Sequence, residues 1–135
     1  MNAVYASIHS ECFTVPRPWS EAEFTSLNSD PAVFTIGDAN GVVMGRVIVD
    51  EAELLTIAVR PSSRRTGQGR ALLLAFIETA RSRGASTVFL EVAADNVPAI
   101  SLYKSAGFIE SGRRKNYYKH PNGQTIDALV MQIHL

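Results

Sequence analysis

The chain has 135 residues, one ordinary domain, and at that length it buries about two thirds of its unfolded surface, enough for a core without staples. Hydrophobic residues make up 46%, which excludes a disordered chain, and the 13 basic and 13 acidic side chains cancel, leaving neither an overall basic field for nucleic acid nor an acidic tail. Cys12 is the only cysteine, so no internal disulfide forms; no apolar run approaches the roughly 18 residues of a membrane span, and Met1-Asn2-Ala3-Val4-Tyr5 lacks the basic-then-apolar order of a signal peptide. A cytoplasmic protein is expected, with no membrane and no direct nucleic-acid partner.

No repeat, low-complexity segment or linker divides the chain, so residues 1–135 are expected to form one domain. Val4 to Phe13 reads as a short helix, broken by Pro16 and Pro18. Ser20-Glu21-Ala22-Glu23 has the form of a capping box, a serine with a glutamate three residues on, and predicts a helix from Glu21 to about Leu27. Ala32 to Ile36 is a predicted strand, Asp38-Ala39-Asn40-Gly41 a turn, and Val42 to Val49 a second strand. Asp50-Glu51-Ala52-Glu53 is expected to turn the chain again before a strand over Leu54 to Val59. Its acidic side chains read first as a solvated turn and second as an attraction for a basic peptide.

Pro61 to Thr66 is a polar, basic loop, and a long helix follows from about Gly67 to Arg83. Leu72, Leu73, Phe76, Ile77 and Ala80 recur there at helical spacing, and Gly84 ends it. Thr87 to Val92 is an apolar strand. Pro98 suits the first turn of a helix covering Ala99 to Ser105, and Gly107 stops it. Phe108 opens a further strand, Asn122-Gly123 signals a hairpin, and Ile126 to Ile133 closes the chain. Helices, antiparallel strands, then strand-helix-strand-helix-strand-strand describe a mixed α/β sheet protein.

Arg64-Arg65-Thr66-Gly67-Gln68-Gly69-Arg70-Ala71 lies between a strand and a helix. Glycines there let a backbone approach a phosphate, and the N–H groups of a helix start point outward to bind it. The loop lacks the Gly-Lys-Ser/Thr of a Walker A loop, and Leu72 stands where a dinucleotide fingerprint needs its third glycine. The bland alternative is a strand-to-helix turn whose glycines serve packing.

Arg64, Gly67 and Gly69 in Arg-x-x-Gly-x-Gly, followed by Asn96 and Ala99-Ile100-Ser101-Leu102-Tyr103-Lys104-Ser105-Ala106-Gly107-Phe108, resemble the two signatures of the GNAT superfamily of N-acetyltransferases. Pro18-Trp19-Ser20-Glu21, Asp50-Glu51-Ala52, Leu90-Glu91-Val92, Asn116-Tyr117-Tyr118 and Asn122-Gly123…Asp127-Ala128 resemble its bacterial ribosomal-protein-alanine N-acetyltransferase (RimI-like) branch, a likeness running from about Trp19 to the end. Two departures stand out. The family's first strand is missing or very short, because Met1 lies almost at the first helix, and Arg113-Arg114-Lys115 carries one more basic residue than the branch pattern.

The resemblance implies a GNAT fold: a mixed twisted sheet in which two neighbouring parallel strands, Leu54–Val59 and Thr87–Val92, splay to admit acetyl-CoA. By the same resemblance, the backbone of Ile57, Ala58 and Val59 pairs with the pantetheine arm, and the Val59 N–H faces the thioester carbonyl. Arg64, Arg65, Thr66, Gly67, Gln68, Gly69 and Arg70 wrap the pyrophosphate. Asn96 touches the cofactor and caps a helix, Glu91 is the general base, and Tyr103 is the proton donor to the departing thiolate. The bland readings are core strand for Ile57 to Val59, solvated arginines for Arg64, Arg65 and Arg70, a solvated edge for Glu91 and a packed aromatic for Tyr103. Cys12 has no histidine placed to activate it, and His9, His120 and His134 show no metal-ligand spacing, so no metal is expected. Trp19, Phe13 and one of Tyr117 and Tyr118 are expected near the acceptor groove. The expected acceptor is the N-terminal amine of a protein, a ribosomal protein beginning with alanine. A small-amine acetyltransferase and a non-catalytic acyl-CoA-binding module remain as alternatives.

Overall fold

The computed structural model describes residues 1–135. The chain opens on helix α1 (Asn2–Cys12), with no strand before it, and continues through α2 (Glu21–Asn28), β1 (Val33–Gly37), β2 (Gly41–Ile48) and β3 (Glu51–Val59). A single 3-10 turn, Pro61–Ser63, precedes α3 (Gln68–Ser82), β4 (Thr87–Ala93), α4 (Val97–Ser105), β5 (Ile109–Lys119) and β6 (Thr125–His134). The six strands form one sheet in the order β1-β2-β3-β4-β6-β5, with β3 and β4 the only parallel neighbours. One boundary differs from the expectation by more than two residues. Glu51, Ala52 and Glu53 are not a turn: they are the first residues of β3, paired with Ile48, Val47 and Arg46. Only Val49 and Asp50 make the reversal. Alternation explains why the sequence hid this, since the acidic side chains of Glu51 and Glu53 flank the buried Ala52.

Two cores lie on opposite faces of the sheet. The apolar stripe of α3, with Leu73, Phe76 and Ala80 fully buried, packs with Phe34, Leu54, Val88 and Leu90. The other core joins Tyr5 and Ile8 of α1 and Phe24 of α2 to Val42, Met44 and Ala58. Close approach of β2 to α3 requires glycine at position 45, where a Cβ would come within 2.1 Å of the Phe76 ring. That ring is stacked on Phe34 with its centroid 5.5 Å away, so it has nowhere to retreat.

A bulge in β3 couples the two cores. Leu54 pairs with Gly45 and Thr56 with Met44, leaving Leu55 unmatched. One extra residue reverses the inside-outside alternation beyond it. Ala52 and Leu54 therefore join the α3 core, whereas Leu55 and Ala58 face α1 and α2, and Thr56 reaches His9.

Candidate active site

β3 and β4 pair at only three positions: Glu51 with Thr87, Ala52 with Val88 and Glu53 with Phe89. Beyond that point each strand follows its outer neighbour. β3 stays with β2 as far as Val59 opposite Gly41, and β4 stays with β6 as far as Ala93 opposite Ala128. The two diverge, and a cleft of about 400 Å3 opens between them. Glu53, Leu54, Leu55, Thr56 and Ile57 form one wall, Glu91, Val92 and Ala93 the other, and Asn96, the cap of α4, lines it with Ala99 and Tyr103 of that helix. Phe13, Pro16, Arg17 and Trp19 from the α1–α2 connection and Tyr117 and Tyr118 of β5 complete the lining.

The open edge of β3 carries main-chain groups. Arg60 donates its N–H to the Asn40 carbonyl at 2.8 Å, on the β2 side. Successive amides of a strand alternate in direction, so the Val59 N–H points the other way, into the gap. The Val59 carbonyl accepts from Arg64 Nε and from Cys12 Sγ, each at 3.2 Å.

Glu91 projects from the half-buried side of β4, between the buried Leu90 and Val92. Its Oε1 lies 2.9 Å from Arg114 Nε, and the Arg114 guanidinium also stacks over Tyr117 with its carbon 5.3 Å from the ring centroid. The basic run noted in the sequence thus has separate partners: Arg114 meets Glu91, and Arg113 bridges Asp127 at 2.9 Å. A double irregularity in β5 makes this arrangement, since Arg114 pairs with Ala128 and Tyr118 with Ile126, leaving three residues opposite Asp127 alone. Asn116, at φ 53, donates its N–H to Asp127 Oδ1 at 2.9 Å within that bulge. Together with Arg113, this holds the Asp127 carboxyl below its usual range.

Tyr103 is buried, with its ring 5.9 Å from that of Phe108. Its hydroxyl makes no hydrogen bond within the chain, yet no buried side-chain polar atom lacks a partner, so the oxygen opens onto the cleft. Burial pushes its phenol well above the ordinary value, with a smaller push from Tyr118. The Tyr103 oxygen therefore keeps its proton at neutral pH. Tyr118 is raised by burial and then by the charge of Glu91, and it lines the same cleft as Glu91 and Tyr103. Both Tyr117 and Tyr118 line the cleft, where only one was expected to do so. Their rings meet edge to face, 5.1 Å apart.

The predicted loop residues lie outside this cleft, at the far end of β3. Gly67 caps α3 at φ 81, a backbone that glycine adopts without cost. It has no side chain to cap the helix, so the N–H groups of Gln68, Gly69 and Arg70 have no acceptor within the chain. The packing explanation for Gly69 does not hold: a Cβ there would meet Leu102 at 3.7 Å and Val59 at 3.8 Å, ordinary contacts. Gln68 Nε2 reaches Asp38 at 2.9 Å, Thr66 Oγ1 the Ser63 carbonyl at 2.7 Å, and Arg70 Nη1 Ser105 at 3.1 Å. Arg65, at φ 63, is exposed and makes no ion pair, leaving its charge free. Asn96 caps α4, its Oδ1 accepting from the Ala99 N–H at 3.3 Å.

His9 is the residue that sequence reasoning passed over. It is fully buried in the lining of the cleft, with Nδ1 accepting from the Trp19 N–H at 3.1 Å and Nε2 against Thr56 Oγ1 at 2.8 Å. Since Nδ1 is an acceptor, Nε2 carries the proton and the ring is neutral. Burial lowers its pKa to about 4, opposed weakly by Glu23. Both nitrogens are occupied, so His9 does not activate Cys12 three residues along α1. No three His, Cys, Asp or Glu side chains gather where they would hold a metal ion. Nor is any helix long and apolar enough to cross a membrane.

A splayed parallel strand pair, a glycine-capped helix beside it and two signature segments define an acetyltransferase class. The model of the Acetyltransferase (GNAT) family matches residues 2–108, and the chain belongs to that family. It is 39% identical over 132 residues to the [ribosomal protein bS18]-alanine N-acetyltransferase of Escherichia coli strain K12, covering 95% of this chain and 88% of that protein. The putative [ribosomal protein bS18]-alanine N-acetyltransferase of Bacillus subtilis strain 168 is 32% identical, over 93% of this chain and 84% of that one. The crystal structure of the E. coli ribosomal-protein-S18-alanine N-acetyltransferase superposes with a TM-score of 0.87 at 36% identity, covering 98% of this chain and 86% of that one.

Proposed function

We propose that this N-acetyltransferase moves acetyl from acetyl-CoA directly onto the N-terminal α-amine of a protein, a ribosomal protein that begins with alanine. The observation that carries this reading is the cleft at the splay, whose wall holds Glu91 and Tyr103 while aromatic side chains from the α1–α2 connection and from β5 complete its lining. The similarity to bS18-alanine acetyltransferases over nearly the whole chain supports the acceptor.

In this reading the three free N–H groups of α3 and the charge of Arg65 hold the pyrophosphate, and the small Gly67 and Gly69 let it approach. Ile57 and Val59 offer main-chain groups to the pantetheine arm along the open edge of β3, while Ala58, expected to do the same, turns its N–H and carbonyl toward Val42 of β2. The Val59 N–H donates to the thioester oxygen as that oxygen gains negative charge. Glu91 takes a proton from the incoming amine, whose unperturbed pKa near ~8 makes a carboxylate, acting through a water, a sufficient base. The Tyr103 hydroxyl, kept protonated by its burial, donates to the sulfur that leaves. Asn96 fixes the start of α4 and so the depth of Tyr103 in the cleft.

The test compares acetyl transfer to a basic peptide starting with alanine, the same peptide with a blocked amine, and a panel of polyamines and amino acids. The free peptide should give the highest kcat/KM and the blocked one none. A higher kcat/KM for a small amine, with no transfer to the peptide, would overturn the acceptor while leaving the family assignment intact.

A further inference from the structure

One half of the sheet has an open face. α1 and α2 cover the face that bears Val42, Met44 and Ala58, while α3 and α4 pack on the opposite one. The bulge at Leu55 leaves the first residues of β3, and all of β4 and β6 beside them, without a helix on the α1–α2 side. On that side the register sets Ile48 beside Glu51, and Arg46, Glu53, Phe89 and Gln132 in one row across four strands. Glu91 stands one pleat further along β4 from Phe89. Ile48 is 59% exposed and the adjoining Val49 86%, at the tip of the β2–β3 hairpin.

A hollow of about 490 Å3 occupies this face, lined by Arg46, Ile48, Val49, Asp50, Glu51, Glu53 and Phe89. Glu53 belongs to its wall and to the wall of the active-site cleft, so the two adjoin at that residue. Its charge is one-sided. Glu53 is paired with Arg46 at 2.9 Å, whereas Asp50 and Glu51 have no ion-pair partner. From Glu91 to the row of Thr87 and Glu51 is four residues of strand, roughly 13 Å at ~3.3 Å per residue. An extended chain whose amine lies at Glu91 covers that span in about four residues.

We infer that the acceptor polypeptide lies across this open half-face, and that basic side chains from about its fourth residue onward dock on Asp50 and Glu51. This rests on the peptide-acceptor reading and adds a length and charge requirement to it. Main-chain and apolar contact with Phe89 and Ile48 would orient the segment, and the acidic hairpin would select its charge. A free amine or a three-residue peptide would occupy the cleft alone.

The experiment measures kcat/KM for a three-residue alanine-initiated peptide amide and for a ten-residue one carrying lysine and arginine from its fourth position. Each is assayed on the wild type and on the Asp50→Lys, Glu51→Lys double variant, after thermal melts show the variant folded. The long peptide should have the lower KM on the wild type. The double variant should raise that KM about five- to tenfold, the scale of two exposed ion pairs lost, and leave the short peptide unchanged. Added salt should reproduce the loss. Equal kcat/KM for both lengths on the wild type, or a long-peptide advantage that survives the double variant, would overturn the inference. So would a wild-type dimer that the variant dissolves with peptide kinetics unchanged, since a second copy would then own the face. Failure of the acceptor reading looks different, because then neither peptide is acetylated.

Discussion

His9 sits where α1, the start of α2 and β3 meet, and it serves all three with two ring nitrogens. Its neutral form is the only one that keeps both bonds, because protonation at Nδ1 would set two N–H groups against each other at the Trp19 amide. The unfolded chain takes up a proton near the ordinary imidazole value of 6.5, while the native state resists until about 4. Stability is therefore complete above that window and falls as the pH drops through it, by about 3 kcal/mol in total. Denaturant midpoints measured across the range should show this slope in the wild type, and His9→Gln should remove it. Identical pH slopes for the two proteins would assign the loss to other groups. A second residue-scale prediction concerns Glu91→Gln, which should lower kcat by about 10²-fold or more while acetyl-CoA binding survives. Raising the pH should return part of the rate, because more of the acceptor then arrives neutral. Full activity would remove Glu91 from the mechanism.

These two residues differ in how readable they were. Glu91 is conspicuous as a lone carboxylate between apolar neighbours, and Leu90-Glu91-Val92 matches a family segment. Its partner Arg114 left only an indirect trace, one basic residue too many before Asn116, because the pair is closed across β4, β6 and β5 rather than along the chain. His9 left no trace at all, since Thr56 is 47 residues away and becomes its partner only through the bulge at Leu55.

Among the elements, α3 was the easiest to read, because its buried positions follow a helical period and Gly84, at φ 95, ends it. The start of β3 was the hardest, because charge at alternate positions imitates a turn. The two glycines at the α3 N-terminus look alike in sequence and differ in structure, which yields a paired prediction. Gly67→Ala places a Cβ on a backbone at φ 81 and should cost about 1–2 kcal/mol of stability, seen as a lower Tm. Gly69→Ala adds only ordinary contacts, so Tm should hold. Its acetyl-CoA Kd should nonetheless rise about fivefold, the worth of one obstructed hydrogen bond of ~1 kcal/mol. A fall in Tm at Gly69→Ala, with unchanged acetyl-CoA affinity, would restore the packing explanation for that glycine.

On the scale of the whole molecule, the order of strands and helices follows from the sequence, and the family signatures imply the splay. The depth of the splay does not follow from either. It is set where β3 and β4 come under the control of β2 and β6, and register is a property of pairs. Acetyl-CoA laid between the strands would touch both halves of the sheet and the start of α3. At a hundredfold excess over its Kd it should raise unfolding stability by roughly 2.7 kcal/mol, visible as a Tm shift in thermal melts. No shift at saturating acetyl-CoA would count against the loop and the strand edge together.

The three-pair junction between β3 and β4 also bears on how the chain is made. Every strand pairing before it lies within residues 33–59, and every pairing after it, apart from the junction itself, lies within residues 87–134. A chain leaving the ribosome can thus complete the β1-β2-β3 meander, with α1 and α2 already laid on one side, before any of β4 has emerged. What the meander lacks at that moment is α3, the very next helix to emerge, which covers its other side. The cleft appears last, when β4 arrives and finds only Glu51, Ala52 and Glu53 to hold.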